Sequence, residues 1–177
     1  MTPILIALAI IGLLIIIIAI AGQFDEFRVS RTATIGASPD KVFSHVNDLH
    51  MWEAWSPWAK LDPNSKSTFS GPPDGTGTAM KWEGNNKVGV GTMTITDSKP
   101  SGFIRFRLDF EKPMKATNTA EFSFLWDGTR TTVIWTMLGK NNLFGKVFGL
   151  FMNCDKVVGG QFEQGLANLK SVAEAAK

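Results

Sequence analysis

Residues 103–111 read Phe-Ile-Arg-Phe-Arg-Leu-Asp-Phe-Glu. Ile104, Phe106, Leu108 and Phe110 alternate strictly with Arg105, Arg107, Asp109 and Glu111, the period of two that marks a half-buried strand. After Lys112-Pro113 the same pattern returns, with Ala120, Phe122, Phe124 and Trp126 set against Glu121 and Ser123. Two such strands side by side make an antiparallel sheet with one apolar and one wetted face. The charges on the wetted face are read as cross-strand pairs.

The pattern extends both ways from this pair. Strands are expected over Lys66–Ser70, Gly77–Glu83, Lys87–Ser98, Phe103–Glu111, Ala116–Asp127 and Arg130–Gly139. Between them stand turn residues, among them Gly84-Asn85-Asn86, Pro100-Ser101-Gly102 and the hairpin dipeptide Asp127-Gly128. Upstream, Phe27–Ile35 alternates Phe27, Val29, Arg31 and Ala33 with Arg28, Ser30, Thr32 and Thr34, a seventh strand. Ser38 as N-cap, Pro39 as first helical residue and Asp40 at the positive helix end open a short helix carrying Val42, Phe43 and Val46. A second helical stretch, about Leu49–Trp55, stops at Pro57. Past Asn141-Asn142 the period becomes helical, with Val158, Phe162, Leu166, Leu169 and Ala173 on one stripe. Gly159-Gly160 within it costs ~1 kcal/mol per glycine relative to alanine, so either the helix kinks there or something approaches its backbone closely. A long helix must cover the apolar face of the sheet, and a curved sheet gripping one helix leaves a space between them.

Ahead of all this lies an aliphatic run, Ile4–Ala21, with no charge before Asp25. As a helix it spans roughly 27 Å, close to a bilayer core. A cleavable signal has a basic start and a shorter apolar stretch. This run has neither, although Ala19-Ile20-Ala21 would suit a peptidase. The expectation is a retained transmembrane anchor over residues 1–22 and a domain over residues 27–177. Arg28, Arg31 and Lys41 follow the run, so the positive-inside rule places that domain in the cytoplasm.

The remaining ~150 residues suffice for one core. Lysine plus arginine number 18 and aspartate plus glutamate 16; with no basic stripe, a nucleic-acid partner is set aside. One cysteine, Cys154, excludes an internal disulfide. The aromatics are 13 Phe, 6 Trp and no Tyr, a large apolar surface with few hydroxyls to satisfy.

The order strand, two short helices, six strands and long helix, filled by Ser38-Pro39-Asp40-Lys41-Val42-Phe43, by Asp48 with Trp52, Trp55, Pro57 and Trp58, and by Glu163–Lys170 (E-Q-G-L-A-N-L-K), resembles the START-like helix-grip superfamily, also called SRPBCC. Within it the chain is similar to the polyketide cyclase/dehydrase and lipid-transport branch. The resemblance covers about Phe27–Ala176. It implies an α+β fold, a curved antiparallel sheet of about seven strands around a C-terminal helix, with a deep, mostly apolar cavity between them.

No spacing in the chain assembles a catalytic set. His45 and His50, with Asp48 and Glu53 nearby, have the residue types of a general base and its orienting carboxylate, but read better as surface histidines. Cys154 reads as a helix cysteine. Metal-ligand spacing is absent, Gly75-x-Gly77 and Gly89-x-Gly91 are too short for a dinucleotide fingerprint, and no cofactor is expected. Trp52, Trp55 and Trp58 either lid the cavity or wedge the short helices onto the sheet. The cavity candidates are Trp52, Trp55, Trp82, Phe106, Phe122, Trp126, Trp135, Phe162 and Leu166. Leu143–Met152, with Phe144, Phe148 and Phe151, is apolar over too wide an arc for core packing alone and is expected to gate the cavity on its membrane side. The function expected is a membrane-anchored module that binds or carries a hydrophobic small molecule or lipid. A cavity enzyme of the cyclase/dehydrase type and a ligand-free scaffold are the alternatives.

Overall fold

The computed structural model describes residues 11–12, 26–140 and 154–175. Seven strands form one antiparallel sheet in the order β1-β7-β6-β5-β4-β3-β2: β1 Glu26–Ile35, β2 Lys66–Ser70, β3 Ala79–Glu83, β4 Val90–Lys99, β5 Phe103–Lys112, β6 Ala116–Trp126 and β7 Thr131–Lys140. Strands β2 to β7 run as a meander, and β1 joins at the far edge beside β7. Helix α1 (Pro39–Asn47), a 3-10 turn (Leu49–Met51) and α2 (Trp52–Trp55) lie between β1 and β2, and α3 (Cys154–Ala175) follows the sheet.

The alternation that predicts β5 and β6 is the alternation of burial. Ile104, Phe106 and Phe122 are wholly buried, with Leu108, Ala120 and Phe124 beside them, while Arg105 and Arg107 face water. On the wet face Arg105 stands directly opposite Glu121 and its Nε donates to Oε1 at 2.9 Å, a pair worth ~0–1 kcal/mol at such exposure. Register shifts in β4 at Val90/Gly91 and Ile95/Asp97 add the local bend and twist of β-bulges.

Helix α3 runs unbroken through Gly159-Gly160, so the second of the two expected causes holds. Arg31, on β1, reaches over the helix: its Nε donates to Glu163 at 2.6 Å, Nη1 to the Asp155 carboxylate at 2.9 Å, and Nη2 to the Asp155 carbonyl at 3.0 Å. A Cβ at Gly159 would collide with that guanidinium. The predicted stripe of α3 is the buried one, with Phe162, Leu166, Leu169 and Ala173 in the core and Val158 packed against it.

The expected membrane-spanning helix is corrected. No helix among the described residues is long and apolar enough to cross a membrane. Of Ile4–Ala21 only Ile11 and Gly12 are described, in helical conformation, and a bilayer core of ~30 Å takes about 20 consecutive apolar helical residues to cross. The anchor, the single-pass membrane placement and the cytoplasmic side read from it are dropped from the architecture. The expected gate, Leu143–Met152 with Phe144, Phe148 and Phe151, lies outside the described residues.

Candidate functional site

Chain geometry sets the site between the Trp-bearing segment and the β3–β5 side of the sheet. Helix α1 ends with carbonyls that lack intrahelical partners. Trp52 Nε1 donates to the Val46 carbonyl and Trp55 Nε1 to the His45 carbonyl, each at 2.9 Å. The indoles thereby close the end of α1 and turn their rings onto the sheet. From the other side Asn168 of α3 donates to the Trp55 carbonyl at 3.1 Å.

What results is a continuous aromatic packing. Trp135 stacks on Phe162 with centroids 3.9 Å apart and planes 6° apart, and on Phe122 at 4.8 Å. Trp52, Trp55 and Trp58 meet Trp135 edge to face. Gly165 lets α3 come this close, since a Cβ there would lie 2.8 Å from Trp135 Cζ3 and 3.0 Å from Pro57 Cδ. Trp135 Nε1 is the one buried side-chain nitrogen or oxygen with no hydrogen-bond partner among the described residues.

Beyond this packing, toward β2, no described helix covers the sheet and a cleft of about 390 Å³ opens. Leu49, Trp52 and Trp58 wall it on one side, Met80, Trp82, Met93, Leu108 and Phe110 on the other, with Ala120, Trp135 and Met137 in its depth. Trp82 is positioned by a glycine: Gly91 lies opposite it in β4, where a Cβ would stand 2.5 Å from Trp82 Cζ2. Phe110 meets Trp82 edge to face at 5.7 Å. The polar lining comes from the exposed or half-exposed residues His50, Glu53, Ser56, Ser65 and Ser67, which form the rim with Phe69.

At that rim Asp48 holds His50. Its Oδ1 accepts the His50 backbone N–H at 2.9 Å and lies 2.8 Å from His50 Nδ1, while the imidazole stacks on Phe69 at 4.0 Å. An ionised carboxylate only accepts, so Nδ1 carries a hydrogen, and in the neutral imidazole Nε2 is then the ring's acceptor. His45 is elsewhere, and burial, helped by Lys41, holds its pKa below the ordinary histidine value.

Of the expected cavity residues, Trp52, Trp82 and Trp135 line the cleft. Trp55, Phe106, Phe122, Phe162 and Leu166 belong to the packed core. Trp126, at the end of β6, is 47% exposed and is not among the residues that line the cleft. By alternation it shares a face with Phe122 and Phe124, but among the described residues little covers that end of β6. Sequence reasoning missed Met80, Met93 and Phe110, and the rim of His50, Glu53, Ser65 and Ser67. The usable signal was that Met80 and Trp82 share one face of β3, the face that continues the apolar side of the sheet. Among the described residues no cluster of three metal-ligating side chains occurs.

The family model described as "Polyketide cyclase / dehydrase and lipid transport" matches residues 26–174. No curated protein matches the chain in sequence. Solved structures with similar folds include the di-domain ARO/CYC BexL from the BE-7585A biosynthetic pathway, at 15% identity and a TM-score of 0.63, the match covering 86% of this chain and 51% of that one. Protein MLL2253 from Mesorhizobium loti matches at 12% identity and a TM-score of 0.63, over 85% and 99% of the two chains. The Aha1 dimer from Colwellia psychrerythraea matches at 18% identity and a TM-score of 0.58, over 85% and 98%. At these identities the likeness is one of fold.

Proposed function

Because this chain belongs to the polyketide cyclase/dehydrase and lipid-transport family, we propose that it binds a hydrophobic small molecule in the cleft between the Trp-bearing segment and strands β3–β5. The observation that carries the reading is the wall itself. Apolar and aromatic side chains enclose a cleft of about 390 Å³ with polar groups confined to its rim, the usual make-up of a small-molecule site. Burying an apolar ligand there gains ~25 cal/mol per Å² removed from water, and pre-set rings lose little side-chain entropy on binding. Carriage, rather than turnover, accounts for walls without convergent polar groups.

A second reading keeps the same cleft and adds chemistry. It is favoured by one feature, the His50–Asp48 pair at the rim, which has the acceptor and orienting carboxylate of a general base. The two are separated by native mass spectrometry of the purified full chain, followed by extraction and identification of what it carries. An apolar molecule recovered in unaltered form on incubation supports carriage. A molecule converted by the wild type and left intact by His50→Gln supports catalysis. A chain that carries nothing and takes up no apolar probe refutes both.

A further inference from the structure

The rim of the cleft has a chemical sign. Among the described residues no lysine or arginine lines it, and its only ionisable side chains are His50 and Glu53. Asp48 stands behind His50, 2.8 Å from Nδ1. A carboxylate or phosphate entering head-out would sit beside the Glu53 carboxylate with no lysine or arginine among the described lining residues to pair it. One entering head-first would be buried among aromatic rings, at a far larger desolvation cost. Conversely, His50 offers what a hydroxyl needs. Its Nδ1–H is committed to Asp48, its plane is fixed by the stack on Phe69, and in the neutral ring Nε2 is the acceptor that remains. Ser56, Ser65 and Ser67 add hydroxyls able to donate or accept around the same rim.

Resting on the cleft reading above, we infer that the site selects neutral apolar molecules bearing a hydroxyl group, seated with the apolar body among Trp52, Trp82 and Trp135 and the hydroxyl on His50 Nε2, and that it rejects carboxylates and phosphates. The class is thus an apolar alcohol or phenol rather than a fatty acid or an anionic lipid headgroup.

Three probes of one skeleton test this with the full chain at about pH 8: anthracene, 9-anthracenemethanol and 9-anthracenecarboxylate, read by energy transfer from tryptophan to the anthracene ring. The alcohol binds about tenfold more tightly than the carboxylate, the scale set by one like-charge encounter at a protein surface. Glu53→Gln narrows that gap by strengthening the carboxylate. His50→Phe, which keeps a ring on Phe69, brings the alcohol down to anthracene, a loss of about threefold to tenfold for one neutral hydrogen bond. Both positions are exposed, so the variants fold as the parent does. Saturable binding of carboxylate and alcohol with equal affinity overturns the inference and leaves the cleft in place. Failure of all three probes to saturate overturns the cleft reading, and the inference with it.

Discussion

Adjacent glycines in α3 should respond to the same substitution with opposite signs. At Gly160 a Cβ meets nothing within 4 Å, whereas at Gly159 it meets the Arg31 guanidinium. Glycine in a helix interior is ~1 kcal/mol worse than alanine. Gly160→Ala therefore stabilises by about that amount, which for a chain of this size raises Tm by about 3 °C. Gly159→Ala has the same helix gain but must displace the side chain that bridges β1 to Asp155 and Glu163. Overpacking of that kind costs ~1–3 kcal/mol, so the net change is about 0–2 kcal/mol unfavourable. The two variants then differ by roughly 1–3 kcal/mol although the substituted positions are adjacent. Urea unfolding followed by circular dichroism measures both, and Arg31→Ala supplies the control. Once the guanidinium is gone, Gly159→Ala should become as favourable as Gly160→Ala, a coupling that the double-mutant cycle isolates. Equal stabilisation by both glycine substitutions in the wild-type background would refute the reasoning, because it would mean that Arg31 does not occupy the helix face.

Three further outcomes follow from polar groups in the core. Trp55→Phe and Trp135→Phe remove similar ring area, but only Trp55 Nε1 has a partner, the His45 carbonyl; Trp55→Phe should cost about 1 kcal/mol more in thermal or urea melts. Asp62 is buried and accepts the backbone N–H groups of Asn64 at 3.0 Å and Asn85 at 2.7 Å, so Asp62→Ala orphans both, costs ~2 kcal/mol or more, and speeds amide exchange in the β3–β4 turn, while Asp62→Asn retains most of the effect. For His45 the folded pKa lies below the unfolded value of about 6.5, so the unfolded chain binds more protons in this window: stability from this group is complete above about pH 6.5 and is lost as pH falls through the folded value. Urea midpoints for His45→Gln should therefore decline less than wild type between about pH 7 and pH 5.

Period and punctuation made the elements legible. Phe103–Lys112, Ala116–Trp126 and the Phe162, Leu166, Leu169, Ala173 stripe of α3 announce their buried faces, because local spacing alone decides which side a residue takes. The cleft was less legible, since its position depends on where α3 ends up across the sheet. Periodicity shows that Phe106 and Phe122 point inward but not that Trp52 and Trp55 would seal them, leaving Met80, Trp82 and Met93 at the open end. Arg31 carried a signal that went unused. A cation on the same face of β1 as Phe27 and Val29 requires an acidic partner on whatever covers that face, and α3 supplies Asp155 and Glu163. In return Arg31 holds the Asp155 pKa below the usual carboxylate value. The resemblance in Ser38–Phe43, Asp48–Trp58 and Glu163–Lys170 rests on residues with structural work to do: Trp52 and Trp55 close α1, and Asn168 ties α3 to α2.

The strand order has a consequence for how the chain is made. Strand β1 leaves the ribosome ahead of the other six strands, yet its partner in the sheet is β7, with Ile35 against Thr131, roughly a hundred residues later. Until β7 is synthesised, β1 has no neighbour in the sheet, and Val29 and Ile35 have no core to enter. Long-range pairing of this kind folds slowly and leaves a strand edge open meanwhile. A nascent chain halted after Trp126 would hold a nearly complete meander and a homeless first strand, the state in which this protein is most exposed to aggregation and to chaperones.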